Sequence, residues 1–178
     1  KRKKKYDISN IIMFAKYKPH NNSLYNKLIE LSRNIFFYEK ILLKDDFLTR
    51  INLIFLHLSL ILIIYKEKNN DKFPQELFDN IFLNIEYHLR ELGHGDVVVN
   101  KKMKLLTQKF YDILVKIKIK EKLHIKINKT ILQKHLELSN TNKNENLDKL
   151  ALYFDNFYNF CFELNNNSVL KGDINFKY

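Results

Sequence analysis

The chain has 178 residues, enough for one domain with a sizeable core. Apolar residues make up 46% and aromatics 13%, which excludes a disordered polypeptide. A formal net charge of +11 favours acidic partners such as anionic lipid, RNA or an acidic protein face. Cys161 is the single cysteine, so no intrachain disulfide forms, in keeping with a reducing compartment.

Residues 1–22 read as a basic arm, opening KRKKK and carrying a short apolar patch at Ile11–Ala15. The start at Lys1 rather than methionine leads us to expect a trimmed N-terminus. Residues 23–178 read as one helical domain. Ser23 suits a helix cap, and Leu24, Leu28, Leu31 and Ile35 follow at helical spacing. Phe36–Lys44 looks irregular. Asp45 and Asp46 suit the cap of the next helix, Phe47 to about Lys66, whose centre Leu53–Tyr65 is nearly all apolar. That centre is about 20 Å long, short for a bilayer core, which needs about 17–25 apolar residues. We read it as the central buried helix of a bundle. His57 on it is expected to be a core residue with one satisfied hydrogen bond. The alternative, a haem or metal ligand, lacks a second ligand at helical spacing.

Pro74 and Glu76 suit the first turn of the next helix. A stripe of Leu77, Phe78, Ile81, Phe82, Ile85, Leu89 and Leu92 then runs to Gly93. A further helix is expected from about Asn100, with Met103, Leu106, Phe110, Ile113, Leu114 and Ile117 inward and a lysine face outward. Val115–Ile127 alternates apolar and charged residues, a strand signal with no evident partner. We therefore carry the helix to about Lys120 and expect a short helix over Lys129–Leu138. Ser139–Asn146 reads as a loop. Leu147 to Leu164 is the last long helix, ended by Asn165–Ser168. Ile174 and Phe176 in the tail are expected to tuck against the bundle. The fold class is thus all-α, a bundle of about five to seven helices around residues 47–66.

The chemistry of catalysis is missing. There is no phosphate loop, dinucleotide fingerprint, paired zinc motif or nucleophile elbow. Cys161 sits in an aromatic helix and reads as a packed thiol. We expect no enzyme, no cofactor and no metal.

Two features stand out against a lysine-rich background. Arginine occurs only at Arg2, Arg33, Arg50 and Arg90 among 31 basic residues, which suggests sites that need a planar bidentate donor. Two of only three glycines, Gly93 and Gly95, fall in LRELGHGDVVV between two helices. There we expect Arg90, Glu91 and Asp96 to gather, with a buried or half-buried Arg90–Asp96 contact fixing the corner.

Leu89, Arg90, Glu91, Gly93, Gly95, Asp96 and Val99, followed by Phe110 and Tyr111, resemble a segment of the ubiquinol–cytochrome c chaperone family. A second block, Arg33, Phe37, Tyr38, Asp45, Arg50, Leu56 and His57, is similar to another family pattern. Three of the four arginines therefore fall on family positions. The ending LKGDINF also resembles the family's close. The resemblance covers roughly Ser23–Phe176. It departs at Asp112-Ile113, where the family has Gly-Arg, at Ile35 for a proline and at Thr49 for a glycine.

The resemblance implies a non-enzymatic assembly factor for the cytochrome bc1 complex. It implies binding to newly made cytochrome b or another bc1 subunit, with a small assembly partner and the ribosome as further partners. Arg90, Glu91, Gly93, Gly95, Asp96, Phe110 and Tyr111 become the expected client or partner contacts. Arg33, Phe37, Tyr38, Asp45, Arg50 and His57 become structural positions. The motif wording is nearest the bacterial relatives. The expected place is therefore the bacterial cytoplasm, peripheral to the inner membrane, or the matrix side of that membrane in a eukaryote. The alternative reading is a basic helical module that binds ribosome, RNA or an anionic membrane surface without a chaperone role. Sequence-specific nucleic-acid reading is not expected.

Overall fold

A computed structural model describes residues 22–69, 73–121, 124–138 and 142–178, with the side chains of 69, 119–121, 124 and 125 left aside. The basic arm, with its KRKKK run and apolar patch, lies outside the described residues. Seven helices and one two-stranded hairpin follow in order: α1 (Ser23–Ser32), α2 (Phe47–Asn69), α3 (Gln75–Glu91), α4 (Asp96–Lys116), β1 (Lys118–Glu121), β2 (His124–Ile127), α5 (Lys129–His135), α6 (Lys143–Glu163) and α7 (Asn166–Leu170).

The bundle is built round α2. Its residues from Ile51 to Leu60 are buried without a break, and it packs against α1, α4 and α6. By length and composition α2 is apolar enough to cross a membrane, but 72% of that window is buried inside the protein. Surrounding helices account for its hydrophobicity. At its start the Asp46 carboxylate accepts the Thr49 N–H at 2.8 Å, a cap that also holds the Asp46 pKa below the usual carboxylate range.

Local chemistry sets the ends of the other elements. Asn22, not Ser23, caps α1, its Oδ1 accepting the Tyr25 N–H at 3.0 Å. The helix stops at Arg33, so Ile35 leaves the apolar stripe and is exposed. Between α1 and α2, Phe36–Lys40 forms a single π-helical turn, where the sequence had suggested irregular chain. That turn drives Phe37 into the core against Tyr153, with ring centroids 4.7 Å apart. Tyr38 stays half-buried and donates its hydroxyl to the Ser32 carbonyl at 2.6 Å.

The largest correction concerns residues 115–127. Helix α4 ends at Lys116, and the alternating stretch forms an antiparallel hairpin with Lys118 opposite Ile127 and Glu121 opposite His124. The period-two signal was right, and the missing partner strand is the second half of the same stretch. Ile117 and Ile127 anchor the hairpin in the core. The Ile127 N–H donates to Asp155 on α6 at 3.0 Å. Helix α4 also starts earlier than expected, at Asp96, and α6 starts at Lys143 within the expected loop. A last short helix, α7, follows Asn165, whose side chain caps it.

The tail closes the bundle. Ile174 is buried and Phe176 packs on the rings of Tyr153, Phe157 and Phe160. Gly172 makes this possible: its φ is +75°, and a Cβ there would meet the Ser23 carbonyl oxygen at 2.6 Å. Gly172→Ala therefore combines left-handed strain with a backbone clash, and we expect it to cost at least about 2 kcal/mol. The comparison is Gly95→Ala, where φ is not positive and nothing lies within 4 Å of the added methyl. That change meets no clash and is expected to cost about 1 kcal/mol or less, the loss of glycine's preference over alanine at the N-cap of α4. Urea unfolding of the two variants side by side checks the ranking, and equal costs would contradict it.

Candidate functional site

The α3–α4 corner is a Schellman stop followed directly by a new helix. The Gly93 N–H donates to Arg90 O at 2.9 Å and the His94 N–H to Leu89 O at 3.4 Å. Gly93 takes φ +84°, which only glycine adopts without penalty. Gly95 is the residue before α4 and has ordinary extended backbone. The glycine demand of this corner thus rests on one residue of the pair.

Arg90 and Asp96 do pair, as expected from the sequence, but not in the interior. Arg90 Nη1 donates to Asp96, whose side chain is 79% exposed, while Nη2 reaches Glu86 Oε1 at 2.7 Å. The expectation of a buried or half-buried contact is corrected: the guanidinium clamps two carboxylates on the surface. Glu86, one turn back on α3, completes the cluster and was missed, although its i, i+4 spacing to Arg90 is a legible signal. Glu91 turns away from this cluster toward His88, 4.0 Å from its Nε2. The two aromatic residues also part company. Tyr111 is 51% exposed, whereas Phe110 is fully buried among Phe55, Phe78 and Phe82. Burial removes Phe110 as a contact residue and makes it a packing residue.

Within the second block of expected residues, Asp45, Arg50 and His57 make internal contacts, whereas the Arg33 side chain is exposed. Arg50 grips Asp45 with two parallel bonds, Nε to Oδ1 at 2.7 Å and Nη2 to Oδ2 at 2.8 Å. Its guanidinium holds the Asp45 carboxyl below the usual range. His57 is wholly buried and uses both ring nitrogens: Nδ1 donates to the Leu53 carbonyl at 2.7 Å, and the Tyr153 hydroxyl donates to Nε2 at 3.0 Å. The sequence had suggested one bond. Burial lowers the His57 pKa to about 4 and raises that of Tyr153, which keeps this donor–acceptor order in place. Cys161 is buried, its thiol pushed up to about 12. Asp112 accepts bonds from Lys116 at 2.6 Å, Lys134 at 2.7 Å and His135 at 2.8 Å. It thereby ties α5 to α4.

Two depressions adjoin on one side of the bundle. The first encloses about 320 Å³ between α1, α2 and the end of α3, and includes Arg33, Phe47, Arg50, His88, Glu91 and Leu92 in its wall. The second, about 240 Å³, lies between α2 and α4 and is lined by Phe47, Leu48, Leu89, Lys102, Leu105, Leu106 and Lys109. Two of the three arginines that escaped the lysine bias thus line one pocket, beside the corner. Of the residues of the second depression, Leu89 and Leu106 were read from sequence as inward and Lys102 and Lys109 as part of a lysine face, whereas Leu48 and Leu105 were not singled out. The signal for these two is clear only for Leu105, an apolar side chain that breaks the lysine face of α4 and is 52% exposed.

The fold and this site define an all-α, single-domain bundle with an apolar, basic-edged groove. A family model described as ubiquinol-cytochrome C chaperone matches residues 39–176, and the chain belongs to that family. Its fold is similar to that in a crystal structure of the Cbp3 homolog from Brucella abortus, with a TM-score of 0.66 and 22% identity over 89% of this chain and 88% of that one. A search of curated proteins gave no match. The family match begins after Arg33, Phe37 and Tyr38.

Proposed function

We propose that this protein is a non-enzymatic chaperone for assembly of the cytochrome bc1 complex, and that it holds newly made cytochrome b or another bc1 subunit. The observation that carries this reading is the family match across 39–176, most of the helical domain. The name of the structural neighbour, a Cbp3 homolog, supports it. The described residues offer a groove and a rigid corner rather than a catalytic constellation, which suits a binding role. Client contacts fall on the exposed members of the corner, Arg90, Glu91, Gly93, Gly95 and Asp96, and on Tyr111. A small assembly partner and the ribosome are further proposed partners. The place of work is the cytoplasmic face of a bacterial inner membrane, or the matrix face in an organelle.

One observation favours a second reading, a basic module for ribosome, RNA or anionic membrane. It is the net charge of +11 with Lys101 and Lys104 exposed on α4. Affinity capture from the native organism separates the two. Tagged wild type is expected to retain cytochrome b or another bc1 subunit through a wash at about 0.5 M salt, where surface charge pairing is largely screened. Recovery of RNA or ribosomes alone, lost in that wash, favours the second reading.

A further inference from the structure

Phe47 is in the wall of both depressions, so the one on the α1–α3 side and the one on the α4 side are neighbours and together offer one extended groove-like surface. Its edges carry large exposed apolar side chains, Leu92 at 57% and Leu105 at 52%. Its charge is unbalanced. Arg50 is neutralised by Asp45, whose charge Arg33 also feels, but Lys109 at the other end has no ion pair among the described residues. Lys102 donates to the His94 ring at 2.8 Å and to no carboxylate among the described residues. Glu91 is the one carboxylate in the wall of either depression.

We propose that this groove binds an amphipathic helical segment of a partner polypeptide, its apolar face on Phe47, Leu92 and Leu105 and its flanking carboxylates on Arg33, Lys102 and Lys109. The inference rests on the chaperone reading and deepens it, since the segment belongs to the client. Charge complementarity selects the occupant. An apolar face satisfies the floor, and carboxylates at its ends supply counter-ions for Lys102 and Lys109, beside which the wall carries none among the described residues. The chain's own arm offers the opposite: its apolar run Ile11–Ala15 is preceded by KRKKK and followed by Lys16 and Lys18. It would bring like charge to the same rim.

Two synthetic helical peptides of about 18 residues, sharing one leucine face and flanked by either glutamates or lysines, test this on the full chain. Fluorescence anisotropy is expected to show the glutamate peptide binding at least about tenfold tighter, the sum of three exposed charge pairs. Lys102→Glu/Lys109→Glu should reverse that order, and Leu105→Asp should weaken both peptides, with circular dichroism confirming that each variant is folded. Equal affinity for the two peptides, or no response to the charge reversal, overturns the inference. So does tighter peptide binding by an Ile12→Asp/Phe14→Asp chain, which would assign the groove to the arm. A dimer broken by Leu105→Asp would assign it to a second copy, and overturns the inference too.

Capture from the native organism separates this idea from the reading beneath it. If wild type and Lys102→Glu/Lys109→Glu retain bc1 subunits equally, the groove assignment fails and the chaperone reading stands. If wild type retains none while the glutamate peptide still discriminates, the groove stands as an acidic-segment site and the chaperone reading fails.

Discussion

Phe110→Ala is expected to remove about 3–5 kcal/mol of folding free energy, the range for a fully buried aromatic truncated to alanine. Phe110 has no exposed surface and sits at the meeting of α2, α3 and α4, with ring centroids 5.2–5.5 Å from Phe55, Phe78 and Phe82. The loss includes the lining contacts of the cavity left behind as well as the transferred ring. A domain stable by about 5–15 kcal/mol would keep only part of that margin. Tyr111→Ala, one residue on, is expected to cost less than about 1 kcal/mol because half the side chain already faces water. Denaturant midpoints of the two variants test the division. Similar losses would mean that Tyr111 packs as Phe110 does, and would remove it from the proposed contact surface.

Acid is expected to weaken the fold through His57. In the native protein its pKa is about 4, because burial disfavours the charged ring. In the unfolded chain it returns to about 6.5. Below about pH 6.5 the unfolded state therefore binds a proton that the native state refuses until about pH 4. Stability contributed by the neutral ring is full above that window and falls as pH drops through it, by about 3 kcal/mol in total. His135, whose pKa burial also lowers, adds a loss of the same sign. The His57 part is isolated by difference. Unfolding free energies at pH 7 and pH 4.5 should fall more steeply for wild type than for His57→Gln, which cannot titrate. Parallel profiles would show that the buried imidazole is not the group that resists protonation.

Several features were legible because one physical demand dominates each. The apolar run of α2 was read as central because His57 and Ser59 interrupt it and Arg50 and Lys66 bound it, and the Asp46 cap and the Pro74 start follow from backbone chemistry at helix ends. Gly93 announced a left-handed stop. The arginines at 33, 50 and 90 were legible as special because lysine fills the solvated faces. Their partners were less so: Asp96 was read for Arg90, whereas Glu86 was not and Asp45 was read as a helix cap rather than as the partner of Arg50.

Other features were hidden for reasons of distance. The hairpin at 118–127 carries the alternation of a strand but none of the glycine or asparagine turn chemistry that usually marks a tight hairpin, so its two halves read as one run. The burial of a surface-spaced pair cannot be read from spacing alone. Arg90 and Asp96 meet as expected, yet the corner holds them outward. The groove depends on which faces of α1, α2, α3 and α4 stay uncovered, a property of packing that no single periodicity encodes.

The most direct test of the proposed role is to delete the gene in its native organism and measure assembled bc1 complex. Ubiquinol–cytochrome c reductase activity and the reduced cytochrome b absorbance band should fall together and return with wild-type complementation. A respiratory complex that contains no cytochrome b should keep its activity. A strain that retains full reductase activity and a normal cytochrome b band would contradict the chaperone reading.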